Sequence, residues 1–539
     1  DDDCFSYQLF DLRFIQLEQI DEADIFLFSG INQDFHRLCE VQNNLKSRYP
    51  AATSIIGGPI CWSFEQAGDL RRLGQFDHIF IGDGEDTISN ILQTVRNSSE
   101  LPHVIHATAR FPLSDAKLVD VRLLSATLNQ YYGAVIEVSR GCPFLCEFCD
   151  IRVLPDNNRA HNKQPEFVIR EIERVCDLGA QQILLACDNF IGDPRWAEDI
   201  VDKLLVWQQN TGHRPSLYTW LTVNLFRHPR LMEKMRRAGF DMLFIGVESF
   251  DANSLLETAK LQNSVAILVE ALQSIQSYGF IVVAGLIFGF DSDGDRCFDQ
   301  TLEGLRKAGL LSGDPSLLTA LPGTPLYRRM KLSKRLRDVR YGLGGYKYQT
   351  NIRYLMPKEE VISGYQYFVT VYNRGGYQIK RLLNYFALLQ RGNFVPLRAG
   401  GYGSLALFLS LLVKNPRALR QFAKRMVLFS ANPERVLFTL IGLAITISKW
   451  RVRGRFRYFQ FWLFAWSNSV LKYQGLRPSD FDIESVDSNF DIRDILPVDY
   501  SDTAYEPIPK NKIQAQVKAT KRQLEALIAT RVRSTTPVE

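Results

Sequence analysis

The sequence contains no apolar run long enough to span a membrane, which takes about eighteen or more residues. Its longest apolar stretches, 402–413 and 436–447, are shorter than that. The chain also lacks an initiator methionine and a signal segment, since it opens with Asp1, Asp2, Asp3 and Cys4, and we interpret it as a fragment or a processed form. We therefore expect a cytoplasmic protein, with peripheral contact to the inner membrane face as an option.

Cysteines are also few, nine in 539 residues, and this excludes a disulfide framework. Three of them nevertheless fall within eight residues, at Cys142, Cys146 and Cys149, which indicates metal chemistry in a reducing compartment. The chain is too long for one hydrophobic core, so we predict roughly two to four domains. With 46% hydrophobic residues, its composition is typical of a folded globular protein.

Residues 9–95 alternate short apolar runs with helix-like stretches. The runs 24–30, 53–58 and 78–82 each resemble a buried strand that ends in a small-residue turn before a helix. This order is typical of an open parallel sheet, which binds ligands at the carboxyl ends of its strands. The fold class is therefore predicted to be α/β.

A second αβ array follows a proline-containing linker. Its six apolar segments, separated by helical stretches, fit a partial (β/α)6 barrel, whose chemistry lies at the carboxyl ends of the strands. After about residue 340 the strand signal fades, and we expect helices and a polar surface helix at 510–532. The predicted strands of this array are 134–139, 182–186, 217–223, 242–247, 281–288 and 316–320.

The three clustered cysteines form a CxxxCxxC pattern directly after the first of these strands. Three thiolates can bind three of the four irons of a [4Fe–4S] cluster and leave one iron open for another ligand. Cys142, Cys146 and Cys149 are therefore the predicted metal ligands and catalytic residues. The alternatives are unrelated cysteines or a structural zinc site, which would need four ligands although no second cysteine pair lies nearby.

This loop and the later strand ends resemble the radical S-adenosylmethionine (SAM) superfamily. The resemblance implies that the open iron chelates SAM and passes an electron to its sulfonium. It also implies that residues at the ends of the second, fourth and fifth strands, and the aromatic residue before the last cysteine, contact SAM. These residues are Phe148, Asp188, Asn189, Glu248, Ser249, Gly285 and Gly289.

The residue types at these positions suit SAM for physical reasons as well. Carboxylates at Asp188 and Glu248 can accept hydrogen bonds from an ammonium group and ribose hydroxyls, and glycines let the backbone approach a flat base. Close packing within a strand would explain Gly285 and Gly289 equally well, and a surface cap would explain Glu248. The order and spacing of the motifs after the cysteines favour the SAM-binding interpretation.

An open αβ sheet before such a barrel resembles the cobalamin-binding class of radical SAM enzymes, and most of all its hopanoid C-2 methylase-like branch. Asp34 and His36 begin a DxHxxG motif that ends in Cys39, so no histidine ligand to cobalt is assigned. The strand and helix that normally open the cobalamin domain are missing. The glycines expected near the corrin, which ordinary strand-to-helix turns would also explain, are Gly57, Gly58, Gly82 and Gly84.

We accordingly divide the chain into four parts. Residues 1–118 are predicted to form a truncated Rossmann-like cobalamin-binding domain, and residues 119–345 the radical SAM partial barrel. Residues 346–480 are predicted to form a mainly helical domain rich in basic and aromatic residues, and 481–539 a polar tail.

Positive charge is concentrated near the C-terminus. Residues 391–472 contain fourteen lysines and arginines against one acid, Glu434, and eight of the seventeen residues in 450–466 are aromatic. An anionic membrane interface attracts such a region, as does single-stranded nucleic acid, while a helical domain could also bury the apolar stretches internally. Because nucleic-acid sites do not need the apolar stretches 406–413 and 436–447, we expect membrane contact rather than a nucleic-acid partner.

The leading hypothesis is a cobalamin-dependent radical SAM C-methyltransferase acting on an unactivated carbon of a hydrophobic, hopanoid- or lipid-like substrate. The resemblance implies a [4Fe–4S] cluster, SAM and cobalamin as cofactors, and an electron donor of the flavodoxin or ferredoxin type. One alternative is a cobalamin-class cyclase or rearrangement enzyme without methyl transfer. Another is a methylthiotransferase, for which Cys4, Cys39 and Cys61 lack the surrounding motifs. The last is a non-catalytic cobalamin- or lipid-binding protein.

Overall fold

Two parallel sheets follow one another along the chain, and a helical region follows them. The predicted α/β class, with parallel sheets and helices, is therefore confirmed. The computed structural model describes residues 5–12, 15–128, 133–144, 146–154, 156–257, 265–338, 348–398, 413, 416–487 and 489–491.

The first sheet contains four parallel strands in chain order. Helices cover both of its faces: Ile56 packs with Phe64 on one side, and Ile55 packs with Ile91 on the other. This burial explains why the strands are continuous apolar runs. Its strands are β1 (Ile25–Ser29), β2 (Thr53–Gly57), β3 (His78–Ile81) and β4 (Val104–His106), and its helices are α1 (Phe35–Arg48), α2 (Pro59–Gln66) and α3 (Ile88–Arg96).

The second sheet contains six parallel strands in the order β12-β11-β10-β9-β8-β5, and a short antiparallel hairpin, β6–β7, follows β5. The predicted strands 182–186 and 281–288 match β8 and β11, while 316–320 was predicted four residues too late. The (β/α)6 barrel itself stays a prediction. In chain order, strands β5 to β12 are Ala134–Glu137, Ser139–Arg140, His161–Asn162, Gln182–Ala186, Ser216–Leu221, Phe240–Glu248, Ile281–Phe288 and Ser312–Leu317.

Helices of the second array begin with recognisable sequence signals. Proline is the first residue of four of them, where its fixed φ and missing N–H suit a helix start. Asp193 also caps α6 by accepting hydrogen bonds from the amides of Arg195 and Trp196. The helices α4 to α11 are Val121–Leu128, Pro165–Asp177, Pro194–Thr211, Pro229–Arg237, Ala252–Glu257, Val265–Ser277, Cys297–Ala308 and Pro325–Leu332.

The region after residue 340 contains helices and also two short strands, β13 and β14, that were not predicted from the sequence. β13 pairs in parallel with β14, and Arg353 bonds to Glu484 at 3.1 Å across the pair. Both strands are short and polar, so a search for apolar runs does not detect them. The predicted polar tail therefore begins with a strand, and the helix predicted at 510–532 lies outside the described residues. The elements here are β13 (Gln349–Tyr354), α12 (Lys358–Tyr372), α13 (Gly375–Leu389), α14 (Pro416–Ser430), α15 (Pro433–Ser448), α16 (Arg455–Lys472) and β14 (Asp482–Ser485).

Helix α12 covers the open edge of β12. The Tyr365 hydroxyl donates to the carbonyl of Pro315 at 3.1 Å, and the amide of Gly313 donates to the Tyr372 hydroxyl at 3.1 Å. These bonds occupy backbone groups that a neighbouring strand would otherwise satisfy. Pro315 also fits this position, because proline within a sheet is confined to edge strands.

Helices α13 to α16 pack around a core that contains Tyr385, Phe461, Trp462 and Trp466. In the part of the chain that the structure describes, no single helix has the length and apolar character needed to cross a membrane. The consecutive segments Leu419–Ser430 and Pro433–Ser448 reach that length and apolar character only as a pair, and they meet at an angle of 101°.

Candidate active site

The cysteine loop lies between β6 and β7, at the carboxyl end of the first strand of the second sheet. Cys146 is buried, Cys142 and Cys149 are partly exposed, and none of the three forms a disulfide. Burial raises the pKa of Cys142 to about 12, with Cys146 and Asp188 adding to the shift. Burial also raises the pKa of Cys149, with contributions from Asp150 and the other two cysteines. The amide of Cys149 donates to the carbonyl of Cys146 at 3.2 Å, which holds the second and third cysteines in one turn.

The donor set fits a cluster better than a single metal ion. Within the described ranges, no group of three His, Cys, Asp or Glu side chains could hold one metal ion. A [4Fe–4S] cubane instead takes each thiolate on a different iron, so its ligands stand further apart. Cys142, Cys146 and Cys149 are the residues that would hold it.

A glycine immediately before the loop sets its direction. Gly141 has φ +90°, and a Cβ there would lie 2.0 Å from the carbonyl oxygen of Arg159. Its amide donates to Asp188 Oδ2 at 2.6 Å, and the next amide, of Cys142, donates to the carbonyl of Asn157 at 2.8 Å. A side chain at position 141 would collide with Arg159, so glycine is required for these contacts of the loop.

We expect Gly141→Ala to lose most of its bound iron, because the Cβ collides with Arg159 and pushes Cys142 away. The matched control is Gly179→Ala, which has a similar φ of +91° but nothing within 4 Å of the added Cβ. The control should lose only the roughly 1–2 kcal/mol that the left-handed backbone costs a residue with a Cβ. Iron and acid-labile sulfide per chain after anaerobic reconstitution measure the difference. Equal iron content in the two variants would contradict this account of the turn.

A buried ion-pair network ties the loop to the far end of the sheet. Glu147, between the second and third cysteines, is 1% exposed and accepts two bonds from Arg329 of α11, at 2.7 Å from Nε and 2.9 Å from Nη2. Arg329 Nη1 also reaches Asp291 Oδ2 at 3.1 Å. The cysteine loop is thus fixed to the segment after β11 by one arginine.

Further groups complete this network. Arg335 Nη1 bonds to Asp291 Oδ2 at 2.7 Å, and Glu257 accepts from the amides of Asp291 and Ser292 at 3.0 and 2.7 Å. Although burial alone would raise it, Arg335 and Arg329 hold the pKa of Asp291 low, at about 2. Burial and the Asp291 carboxylate raise the pKa of Glu257. Sequence analysis missed these residues, because their partners are distant in the chain.

The predicted SAM residues at the end of β8 lie beside the cysteine loop. Burial raises the pKa of Asp188 to about 6, and the Gly141 amide counteracts the shift. Asn189 is 1% exposed, and neither its side-chain oxygen nor its side-chain nitrogen meets hydrogen-bond geometry with a described residue, although the side chain approaches the Cys142 thiol and counteracts the rise in its pKa. A buried amide without partners costs free energy, so it indicates a polar ligand that the protein alone does not supply. This is the observation that fits the amino-acid end of SAM.

Glu248 and Ser249 lie at the end of β10 and are both buried. Glu248 has φ +63°, a left-handed conformation that is unfavourable for a residue with a side chain, and it follows a bulge at Gly246. Strained backbone of this kind clusters at functional sites. The burial argues against the alternative that Glu248 is a surface cap.

The glycines around β11 are in close contact with aromatic rings. A Cβ at Gly285 would lie 2.9 Å from the Phe244 ring, and one at Gly289, which has φ +103°, would lie 2.7 Å from Tyr354. Close packing thus accounts for both glycines, and their contact with adenine remains a prediction. Phe148 is half-buried and packs against the main core.

The four glycines predicted to lie near cobalamin are at the carboxyl ends of β2 and β3. Gly58 and Gly82 have positive φ, and a Cβ would lie 2.7 Å from Ser29 Oγ and 2.2 Å from the Ala107 Cβ, respectively. Gly57 and Gly84 have only ordinary contacts there. These contacts do not test whether the four glycines lie near a corrin, which stays a prediction.

The loop after β3 is bonded to the strand that leads into the cysteines. Arg140 Nη1 contacts Asp83 Oδ1 at 3.2 Å, and Arg140 Nη2 contacts Glu85 Oε1 at 2.6 Å. Asp83 also accepts from Arg110 Nε at 2.7 Å. The carboxyl ends of the two sheets therefore lie close together, and a cavity of about 630 Å³ beside β5 is lined mainly by the linker after β4, by β5 and by α5, with Glu85 contributed by the loop after β3.

Comparison with known proteins identifies the second array. The model of the radical SAM superfamily matches residues 136–305. The hopanoid C-2 methylase of Rhodopseudomonas palustris (strain TIE-1) is 29% identical over 353 residues, which are 63% of this chain and 62% of that protein. An uncharacterized methyltransferase of Synechocystis sp. is 28% identical over 374 residues, 69% of this chain and 68% of that protein.

A solved structure has a similar fold over nearly the whole chain. It is the cobalamin-dependent S-adenosylmethionine radical enzyme OxsB with aqua-cobalamin and SAM bound, at a TM-score of 0.51 and 15% identity, covering 93% of this chain and 75% of that one. Cobalamin and SAM, two of the three predicted cofactors, are the groups bound in that structure. The predicted resemblance is confirmed: residues 136–305 match the radical SAM superfamily, and the chain is an enzyme whose relatives include methyltransferases.

Proposed function

We propose that the chain is a cobalamin-dependent radical SAM C-methyltransferase that acts on an unactivated carbon of a hydrophobic, hopanoid- or lipid-like substrate. The observation that carries the proposal is the cysteine loop at the carboxyl ends of parallel strands, beside the buried Asn189 amide, whose oxygen has no hydrogen-bond partner among the described residues. The similarity to hopanoid C-2 methylase supports the substrate class. The alignment covers 62% of the relative's length, and we propose the same type of activity for this chain.

The residues of the chain bind and orient the reactants in this scheme. The Asn189 amide offers one donor and one acceptor to the amino-acid group of SAM, and the Glu248 carboxylate can accept from ribose hydroxyls. Burial of Asn189 and Glu248 keeps water away from the reacting atoms. When bound, the cluster, SAM and cobalamin supply the electron, the hydrogen-abstracting radical and the methyl group.

The first sheet is the proposed place for cobalamin. Its strand ends face the same side as the cysteine loop, since the loop after β3 is bonded to Arg140. A flavodoxin- or ferredoxin-type protein is the proposed electron donor. We also propose that the enzyme works in the cytoplasm, at the inner membrane face, where a lipid-like substrate resides.

Another relative supports a second candidate. The anaerobic magnesium-protoporphyrin IX monomethyl ester cyclase of Synechocystis sp. is 24% identical over 322 residues. A cyclase or rearrangement enzyme would use the same cluster and SAM but add no carbon. A methylthiotransferase has less support, because Cys61 is fully buried in the core of the first sheet.

The proposal predicts a visible spectrum with corrin bands beside cluster absorbance after anaerobic reconstitution with iron, sulfide and cobalamin and removal of unbound cofactor. Incubation of this enzyme with reductant, methyl-labelled SAM and a hopanoid-containing lipid extract should then yield a product heavier by one labelled methylene unit. Mass spectrometry and the release of 5′-deoxyadenosine measure the two reactions.

Cys146→Ala is the control, since it should retain corrin but release no 5′-deoxyadenosine. SAM cleavage without any gain of mass in the lipid would favour the cyclase or rearrangement candidate. A cluster without retained corrin would contradict the cobalamin part of the proposal.

A further inference from the structure

Helix α15 is apolar on two opposite sides. Its inner side packs on α16, where a Cβ added at Gly442 would lie 2.7 Å from the Trp462 ring. A helix that is apolar all round is normally buried all round. The outer side of α15 instead faces solvent along a stripe with helical spacing, formed by Val436, Leu437, Leu440 and Ile447.

Exposed apolar side chains also occur on the segments that precede and follow α15 in the chain. Val427 of α14 is 70% exposed, and Trp450, just after α15, is 68% exposed. We call the combined surface the outer apolar face. Single exposed apolar side chains are normal, whereas several close together in the chain indicate an interaction site. It consists of Leu419, Val427, Val436, Leu437, Leu440, Ile447 and Trp450.

Basic side chains lie beside the outer apolar face. Arg420 and Lys424 are on α14, and Arg451 and Arg453 follow Trp450; all four are exposed. None of them forms an ion pair within the described part of the chain, although Arg451 lies 5.0 Å from the centre of the Trp450 ring. These charges are therefore available to an external anionic partner. A tryptophan with adjacent arginines is typical of the interface between lipid headgroups and acyl chains.

We propose that the outer apolar face docks onto an anionic lipid surface, with its apolar side chains among the acyl chains and its basic side chains at the headgroups. Two observations carry this inference: the exposed apolar stripe and its complementary charge. The consequence that docking brings the enzyme to its substrate rests on the proposed function. The competing occupants, a second copy of the chain and the chain's own apolar segment 399–412, are outcomes of the test.

The experiment measures co-sedimentation of the full chain with vesicles of phosphatidylcholine alone or with added phosphatidylglycerol. We expect binding to the anionic vesicles that weakens as salt is raised. Leu440→Asp should lower the partition coefficient roughly tenfold or more. Replacing Arg451 and Arg453 together with glutamate should lower it at least roughly fivefold and remove most of the salt dependence.

Val206→Asp is the matched control, because Val206 is 56% exposed, close to the 59% of Leu440, but lies on α6 of the second array. It should bind vesicles like the unchanged protein. The inference fails if the unchanged protein ignores anionic vesicles, or if Leu440→Asp and Val206→Asp bind equally. A change from dimer to monomer in Leu440→Asp, or a large loss of thermal stability there alone, would assign the face to a second copy or to segment 399–412.

Reductive SAM cleavage with a chemical reductant separates this inference from the proposed function. Leu440→Asp should cleave SAM at the unchanged rate, because α15 packs on α16, whose Arg457 bonds to Asp241 at the amino end of β10, whereas the cysteine loop lies at the carboxyl ends of the strands. If the unchanged protein cleaves SAM but does not bind anionic vesicles, the docking surface alone is overturned. If the unchanged protein binds anionic vesicles but does not cleave SAM, the docking surface is supported and the proposed function is overturned.

Discussion

Cys146→Ala is expected to reduce SAM cleavage by more than roughly a hundredfold, since losing a cluster ligand should cost at least as much as losing one of its outer partners. Cys146 is the buried member of the three cysteines, at 8% exposure. Its backbone carbonyl also accepts a hydrogen bond from the amide of Cys149 at 3.2 Å. With two thiolates left, a cubane would have two open irons and no unique site for SAM. Production of 5′-deoxyadenosine under anaerobic, reducing conditions measures the effect.

Cys176→Ala provides the control for this experiment. Cys176 is 7% exposed on α5, so it matches Cys146 in burial but lies away from the loop. It should retain iron, sulfide and cleavage. A Cys146→Ala protein with a full cluster that cleaves SAM at the unchanged rate would show that this thiol is not a ligand.

Arg329→Met is expected to lower the free energy of unfolding by about 3–5 kcal/mol, because it leaves buried carboxylates without their partner. Glu147, Asp291 and Glu257 all lie within 3.5 Å of the Arg329 guanidinium. Arg335 still compensates Asp291, but Glu147 loses both of its bonds to Arg329. Urea unfolding measures the change as a shift of the midpoint with an unchanged slope.

The same variant tests whether Arg329 positions the cysteine loop. Arg329→Lys keeps the charge but loses the two-bond geometry to Glu147, so it should recover part of the stability and less of the native cluster spectrum. Arg237→Met is the surface control: Arg237 pairs with Glu233 in an exposed ion pair, whose loss should cost at most about 1 kcal/mol. A normal electron paramagnetic resonance spectrum from folded Arg329→Met would contradict the positioning role.

Sequence analysis located the parts of the site that are encoded locally. The cysteine loop is a short pattern after an apolar strand, and β8 and β11 are buried runs, so both were recognisable from neighbouring residues. β12 was misplaced because Gly313, Asp314 and Pro315 are typical of turns. They are tolerated in a strand only because it is an edge strand covered by the α12 tyrosines.

The remaining features depend on residues that are far apart in the chain. Glu147 and Arg329 are separated by 182 positions, and Arg353 of β13 meets Glu484 of β14 across 131. Neither carries a local signal, because a glutamate in a loop or an arginine on a helix is ordinary on a protein surface. Only the fold makes these charges buried partners.

The tyrosines that complete β12 also change what the helical region means for the enzyme. β12 has a strand neighbour on one side only, and α12 occupies backbone groups on the other. A chain cut near residue 345, between two predicted domains, would leave this edge as an open template for pairing with other copies. By covering this edge, the helical region is expected to keep the sheet from pairing with other copies, so the two parts should be expressed together.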